Sequence, residues 1–198
     1  VIVGRDMRLS SPSVAAALIE GLRMQRVDVI DLGMVSTDQY YHACATLDLP
    51  GIMVTASHNP PQYCGFKMVR EMPYLLSGDE GIQDLRRLIE TDGFRLAQGT
   101  GRLETRDVSA GFVDKVVGMV DGERLRGLTV VADTGNGMVG PILQRVYERL
   151  PIEFVGLYLD PDGTLPNHGL DPMQEENRAE LQRRVVADGA DAGFAFDG

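Results

Sequence analysis

Short apolar segments alternate with helix-like segments along the whole chain, and this alternation limits the possible fold more than any other feature. The apolar run at residues 51–55 is bounded by turn-forming residues, which is typical of a buried strand. Between such runs, apolar residues recur at helical spacing, as Val14, Leu18 and Leu22 do after the serine- and proline-containing helix start at residues 10–13. Strands that alternate with helices predict right-handed βαβ crossovers, so we expect an α/β protein.

The alternation stops near the glycines at residues 99–101 and then begins again. Before this point we predict strands at residues 1–4, 27–32, 51–55 and 65–69. We also predict a helix that starts at residues 10–13 and includes Leu22, a helix that follows Ser36 and ends near Leu47, and a helix at residues 79–91. After it we predict helices at residues 108–120, 138–150 and 174–187, with strands at 128–132, 152–157 and 192–196. The three prolines and two glycines of residues 160–172 predict a loop. We therefore expect two consecutive three-layer α/β domains with mixed, mainly parallel sheets, residues 1–101 and 102–198.

Composition limits the classes of partner and the cellular compartment that we expect for this protein. Hydrophobic residues make up 43% of the chain, which is enough for a packed core. The net charge of -10 argues against broad binding to a nucleic-acid backbone, and no apolar run approaches the roughly 20 residues of a membrane span. The two cysteines, Cys44 and Cys64, form neither a metal-binding spacing nor a disulfide framework. We expect a cytoplasmic protein without nucleic-acid or membrane partners.

The segment after the strand at residues 51–55 carries a candidate nucleophile, Ser57, followed by His58. Pro60 and Pro61 then prevent the strand from continuing, so Ser57 is expected on a loop at the carboxyl end of a strand. Ligands bind at that edge of open α/β sheets, and a hydroxyl held there is a candidate covalent catalyst. A capped turn is the simpler alternative. A serine hydrolase is disfavoured because the G-x-S-x-G elbow is missing and sequence adjacency does not make a catalytic triad.

Three further strand ends carry polar or glycine-rich segments. Asp197 follows the last predicted strand and is either a metal ligand or an ordinary turn residue. The glycines of residues 132–140 either admit a phosphate to a helix N-terminus or allow tight strand-to-helix packing, and we favour packing. In residues 4–8, Arg5 and Asp6 either fix a loop or bind an anion, and we favour a structural role.

Six motifs follow one another in order along the chain: V-G-R-D-x-R-L-S at residues 3–10, T-A-S-H-N-P-P at 55–61, G-F-K at 65–67, D-x-G-N-G at 133–137, P-D-G with P-N-H at 161–168, and A-D-x-G-x-A-F-D-G at 190–198. As an ordered set they resemble the α-D-phosphohexomutase family, and most of all its phosphomannomutase/phosphoglucomutase branch. The family has four domains, and the resemblance covers most of domains 1 and 2. We expect a fragment of a longer enzyme that lacks the first strand and stops at the metal-binding loop, and that is inactive alone.

The resemblance implies a role for each matching residue. Ser57 would be the phosphoserine, which gives its phosphoryl group to a hexose phosphate and recovers one from the bisphosphate intermediate. His58 and Lys67 match active-site residues beside it, and either one is a candidate acid or base. Asp197 matches the first carboxylate of the family's metal loop, so Mg²⁺ would be held by Asp197 and by the phosphoryl group on Ser57.

The sequence also departs from the family pattern. Cys64 stands where the family usually has asparagine, and the loops that select the sugar lie in domains that this chain lacks. The resemblance implies hexose phosphates and a hexose bisphosphate as partners. The expected substrates are mannose and glucose phosphates, with glucosamine phosphate as an alternative. A non-catalytic sugar-phosphate-binding relative is a second alternative, and the assembly is expected to be a monomer or a homodimer.

Overall fold

A computed structural model of the chain describes residues 1–94 and 97–197. These residues form two compact units that both use separate stretches of the chain. The first unit contains Val1–Asp6, Ser10–Thr55 and Cys64–Val108. The second contains Met7–Leu9, Ala56–Tyr63 and the part of the described chain that begins at Ser109. No helix in the described part of the chain combines the length and the apolar character needed to cross a membrane.

The first unit is built on a six-stranded sheet. Its elements are β1 (Ile2–Arg5), α1 (Ser11–Met24), β2 (Val29–Met34), α2 (Thr37–Leu47), β3 (Gly51–Val54), β4 (Phe66–Glu71), β5 (Tyr74–Leu75), a π-helical turn (Gly78–Ile82), α3 (Gln83–Glu90) and β6 (Leu103–Thr105). The strand order is β5-β4-β3-β1-β2-β6. Strands β3, β1, β2 and β6 pair in parallel, whereas β4 pairs antiparallel with both β3 and β5.

Helix α2 shows how local sequence sets an element boundary. The Ser36 hydroxyl accepts a hydrogen bond from the Gln39 backbone N–H at 3.1 Å, and the Gln39 side chain accepts one from the Ser36 N–H at 3.0 Å. This reciprocal capping box satisfies two N–H groups that an uncapped helix leaves unpaired. The helix ends at Leu47 before Asp48, whose φ of 51° is left-handed. The prediction that this helix follows Ser36 and ends near Leu47 is thus confirmed.

Side chains on β1 divide the core of the first unit into two halves. Successive strand residues point to opposite faces of a sheet, so Ile2 and Val3 face different helices. Ile2 packs with Tyr40 of α2, and Val3 packs with Ile19 of α1. The sheet therefore lies between two helical layers, as a three-layer α/β arrangement requires.

The second unit has a smaller, wholly parallel sheet. Its elements are α4 (Ser109–Val117), a 3₁₀ turn (Gly122–Leu125), β7 (Thr129–Asp133), α5 (Gly140–Tyr147), β8 (Glu153–Leu157), α6 (Glu175–Ala187) and β9 (Ala192–Ala195). The strand order is β8-β7-β9, and both pairings are parallel. Val131 on β7 packs with Leu181 on α6, while Val113 on α4 packs with Ile142 on α5.

The observed elements confirm the predicted α/β class with mixed, mainly parallel sheets. Residues 160–172 contain neither helix nor strand, as predicted. Two short strands were not predicted: β5, and β6, which pairs with β2 through Leu103 opposite Val29. The single helix expected at residues 79–91 is instead a π-helical turn followed by α3. The last stretch of the first compact unit ends at Val108, and the last stretch of the second begins at Ser109. The predicted domain boundary between residues 101 and 102 stays a prediction.

The glycine-rich turn between β7 and α5 is buried and closely packed. A Cβ atom on Gly140 would lie 1.9 Å from the Leu159 carbonyl oxygen, closer than any two such atoms can approach. Asn136, with a left-handed φ of 62°, donates from its backbone N–H to the Tyr158 carbonyl and from its side chain to the Asp160 carbonyl, both at 2.9 Å. These contacts bear out the packing interpretation of residues 132–140.

Candidate active site

Ser57 lies in the loop that follows β3, at the carboxyl end of that strand, as predicted. Its side chain is partly buried, and its φ of 52° puts the backbone in the left-handed region. A non-glycine residue there has an energetic cost and persists only where its surroundings hold it. Asn59 tightens the loop by donating from both its backbone and its side chain to the Ala56 carbonyl, at 3.0 and 2.8 Å.

Arg8 holds this loop through hydrogen bonds to its backbone. The side chain is buried, and its guanidinium donates to the carbonyl oxygens of Pro60 at 2.9 Å, Asn59 at 2.6 Å and Tyr63 at 3.3 Å, and also to that of Ser57. The structural role that we predict for residues 4–8 rests on Arg5 and Asp6 and not on Arg8. The signal available was an arginine just after a buried strand, in a segment expected to fix a loop.

His58 contacts the carboxylate of Asp197, the predicted metal ligand. Its Nδ1 lies 3.1 and 3.2 Å from the two carboxylate oxygens of Asp197, although 139 positions separate the residues. Both side chains are about half exposed, at 51%. The Phe196 N–H donates to the Asp133 carbonyl at 3.0 Å, which fixes the backbone just before Asp197 against the end of β7.

A second carboxylate of this unit, that of Asp171, is held by hydrogen bonds of its own. Hydrogen bonds from the Gln174 side chain and the Met173 backbone N–H, both 2.9 Å, hold the pKa of Asp171 below its usual value. The nearby His58 acts in the same direction. His58 therefore contacts Asp197 and is within electrostatic range of Asp171.

The imidazole of His168 pairs with a buried carboxylate at the end of β7, a contact between residues 35 positions apart that no local sequence signal indicates. The Nε2 atom of His168 is 3.1 Å from each carboxylate oxygen of Asp133, and its Nδ1 is 2.8 Å from the Gly169 carbonyl oxygen. The Gly135 N–H also donates to Asp133, at 3.0 Å. Because a buried carboxylate is costly without partners, these bonds account for an acidic residue with 2% exposure and stabilise the strand end that positions Phe196.

The predicted site residues fall in both units. Ser57, His58 and Asp197 belong to the second unit, and Lys67 belongs to the first. Lys67 lies on β4 opposite Met53 of β3, and its carbonyl accepts a hydrogen bond from the Tyr40 hydroxyl at 3.3 Å. The catalytic roles of Ser57, His58 and Lys67 stay predictions, as do the metal-binding roles of Ser57 and Asp197.

The described residues offer only part of a coordination sphere for a metal ion. Within residues 1–94 and 97–197, no group of three or more His, Cys, Asp or Glu side chains is arranged to hold a metal. Asp197 supplies exposed carboxylate oxygens, the ligand type that Mg²⁺ prefers. The donor set thus fits one protein ligand of a magnesium site, with the remaining oxygens coming from phosphate, water or other residues. Gly198, the last residue of the proposed metal-loop match, lies outside the described residues.

Two family models match the chain. The model described as phosphoglucomutase/phosphomannomutase, alpha/beta/alpha domain I, matches residues 1–96. The model described as alpha/beta/alpha domain II of the same proteins matches residues 110–198. Together the two models account for nearly the whole sequence, in the order that the motifs indicated.

Individual relatives agree with the family models. The chain is 39% identical to the phosphomannomutase of Salmonella typhimurium and 36% identical to the phosphoglucomutase of Neisseria gonorrhoeae, covering 100% of this chain but 45% and 42% of those proteins. A solved phosphoglucomutase/phosphomannomutase family protein from Burkholderia thailandensis has a TM-score of 0.89 and 41% identity, covering 100% of this chain and 44% of that one. The chain thus spans less than half the length of these relatives. It belongs to the phosphoglucomutase/phosphomannomutase family.

Proposed function

We propose that the full-length protein is a phosphohexomutase that interconverts hexose 1-phosphate and hexose 6-phosphate through a phosphorylated Ser57. The observation that carries the proposal is the contact between His58 and Asp197. It joins the residue next to the candidate nucleophile with the carboxylate expected to bind the metal. The relatives named phosphomannomutase and phosphoglucomutase support the same activity class.

The proposed reaction transfers one phosphoryl group in each direction. A sugar hydroxyl attacks phosphorus, the bond from phosphorus to the Ser57 oxygen breaks, and the hydroxyl proton passes to a base. The product is a hexose bisphosphate, which reorients and returns its other phosphoryl group to Ser57 by the reverse step. His58 and Lys67 are the candidates for holding the proton, and Lys67 would also balance phosphate charge.

Asp197 and the phosphorylated Ser57 would supply ligands for Mg²⁺. A phosphoserine dianion near the Asp197 carboxylate would be repelled by its negative charge in the absence of a cation. Bound Mg²⁺ would neutralise charge that develops on the transferring phosphoryl group. The chain's own residues contribute by orienting the site: Arg8 holds the Ser57 loop, and the Phe196 N–H fixes the approach to Asp197.

Mannose and glucose phosphates are the proposed substrates, with glucosamine phosphate as the alternative. To test the proposal, the full-length protein would be purified and Ser57 examined by intact mass and phosphopeptide mapping. We expect a phosphoryl group on Ser57 that is lost on incubation with hexose phosphate and restored by hexose bisphosphate. Binding of hexose phosphates without turnover, and without phosphate on Ser57, would instead identify a non-catalytic relative.

Replacing the proposed metal ligand gives a separate prediction. In the full-length protein, Asp197→Asn is expected to lower kcat by about a hundredfold and to raise the Mg²⁺ concentration required for half-maximal activity, because a neutral amide binds Mg²⁺ weakly. The measurement is a magnesium titration of mutase activity. Asp114→Asn, which removes an exposed ion pair with Arg149, is the matched control and should leave the titration unchanged. An unchanged magnesium requirement in Asp197→Asn would exclude this residue as a ligand.

A further inference from the structure

We propose that Arg8 is the positioning residue of the serine loop and keeps Ser57 in the backbone conformation needed for phosphoryl transfer. The kinetic part of this inference rests on the proposed mutase function. The structural part does not, because it concerns only how residues 56–63 are held. The two parts can therefore be tested by different measurements on the same variants.

The geometry of the guanidinium suits this task. Its two terminal nitrogens donate to four carbonyl oxygens, those of Ser57, Asn59, Pro60 and Tyr63. A planar fork with five fixed donors can bind several acceptors at once, whereas a lysine ammonium is a single point. The arginine side chain is 3% exposed, and hydrogen bonds from a charged donor gain strength away from water. The Arg8 side chain thus binds the backbone near both ends of the loop, at Ser57 and at Tyr63.

Within residues 56–63, Ser57 is the non-glycine residue with a left-handed backbone. Its left-handed φ of 52° is unfavourable for a side chain with a Cβ, so the conformation must be imposed from outside. Arg8 donates directly to the carbonyl oxygen of Ser57 itself. It also donates to that of Asn59, two positions on, at 2.6 Å. The direction of the Ser57 hydroxyl is therefore coupled to the position of the Arg8 guanidinium.

The backbone at Arg8 is itself tightly packed. Met7, the preceding residue, is buried in a cluster with Met138 and Leu170. Gly163 packs so closely on the other side that a Cβ there would lie 2.4 Å from the Met7 carbonyl oxygen and 3.1 Å from the Arg8 Cα. The backbone of Arg8 is therefore fixed within the second unit, and its side chain can transmit that rigidity to the loop.

The test compares Arg8→Lys and Arg8→Ala with Arg126→Ala in the full-length protein. Arg126 forms an exposed ion pair with Glu123 in the same unit, which makes it a matched arginine control. We expect Arg8→Lys to lower kcat by about a hundredfold with KM changed by less than about threefold, because the nucleophile is misplaced while substrate binding is retained. Hydrogen exchange of the peptide spanning residues 56–63 should become about tenfold faster, and exchange of β7 should stay as in the wild type.

Each outcome supports or overturns the inference. Wild-type exchange of residues 56–63 in a folded Arg8→Lys or Arg8→Ala protein would overturn it. Unfolding of both variants would overturn it too, because Arg8 would then support the whole unit rather than the loop. Faster exchange of the loop in a protein whose wild-type form carries no phosphate on Ser57 would support the structural part and reject the mutase function. A kcat loss equal to that of Arg126→Ala would reject the kinetic part.

Discussion

Ser57→Ala in the full-length protein is expected to lower mutase activity by at least about a thousandfold, equivalent to about 4 kcal/mol of transition-state stabilisation. Alanine has no oxygen to carry the phosphoryl group, so the covalent step is lost rather than slowed. The fold should be unaffected because Arg8 binds the backbone carbonyl of Ser57, which the substitution retains. Activity and stability can therefore be separated at this position.

The measurement is kcat with hexose 1-phosphate plus catalytic hexose bisphosphate, together with the thermal midpoint of unfolding. Ser13→Ala serves as the control, since the Ser13 hydroxyl donates to the Ser10 carbonyl at an exposed site. We expect the control to retain activity within about twofold, as surface substitutions usually do. Full activity of Ser57→Ala, with no phosphate detected on wild-type Ser57, would refute the proposed mechanism.

Gly140→Ala is expected to lower the free energy of unfolding by about 3 kcal/mol, the largest stability effect predicted for this chain. The added methyl group would lie 1.9 Å from a backbone oxygen, that of Leu159, so no side-chain rotation can relieve the clash. Either α5 or the segment that follows β8 must shift. A shift there also threatens the Asn136 hydrogen bonds to the carbonyls of Tyr158 and Asp160.

Gly21→Ala is the matched control for this substitution. Gly21 is helical, within α1, and a Cβ there would meet no atom within 4 Å. Alanine should therefore raise the free energy of unfolding by about 0.5–1 kcal/mol, because glycine is costly inside a helix. Urea unfolding followed by circular dichroism would compare the two. Equal stability of Gly140→Ala and the wild type would contradict the close packing between this turn and Leu159.

Elements with strong local signals could be predicted from the sequence. Helix α2 carries its start signal in Ser36 and Gln39, three residues apart, and these side chains form the capping box. The loop position of Ser57 follows from an apolar strand and the two prolines after it. The close packing of residues 132–140 likewise depends on the glycines within that segment. In each case the determining interactions lie within a few residues of one another.

Features that depend on distant partners could not be predicted in this way. Strands β5 and β6 have two and three residues, all exposed, so no apolar alternation marks them. Strand β6 exists because its backbone pairs with β2, more than 70 positions earlier. His58 contacts Asp197, and Arg8 donates hydrogen bonds to the serine loop. Both interactions join residues that only the fold brings together.

The second unit draws three stretches of chain into one body, and this limits how it can be divided. A fragment that starts at Ser109 would keep Asp197 but lose His58, and it would leave Gly163 facing the space that Met7–Leu9 occupies. Cleaving the protein at its apparent sequence boundary would therefore remove the serine loop together with its arginine support. Exchange of this unit between related proteins would have to carry residues 7–9 and 56–63 along with it.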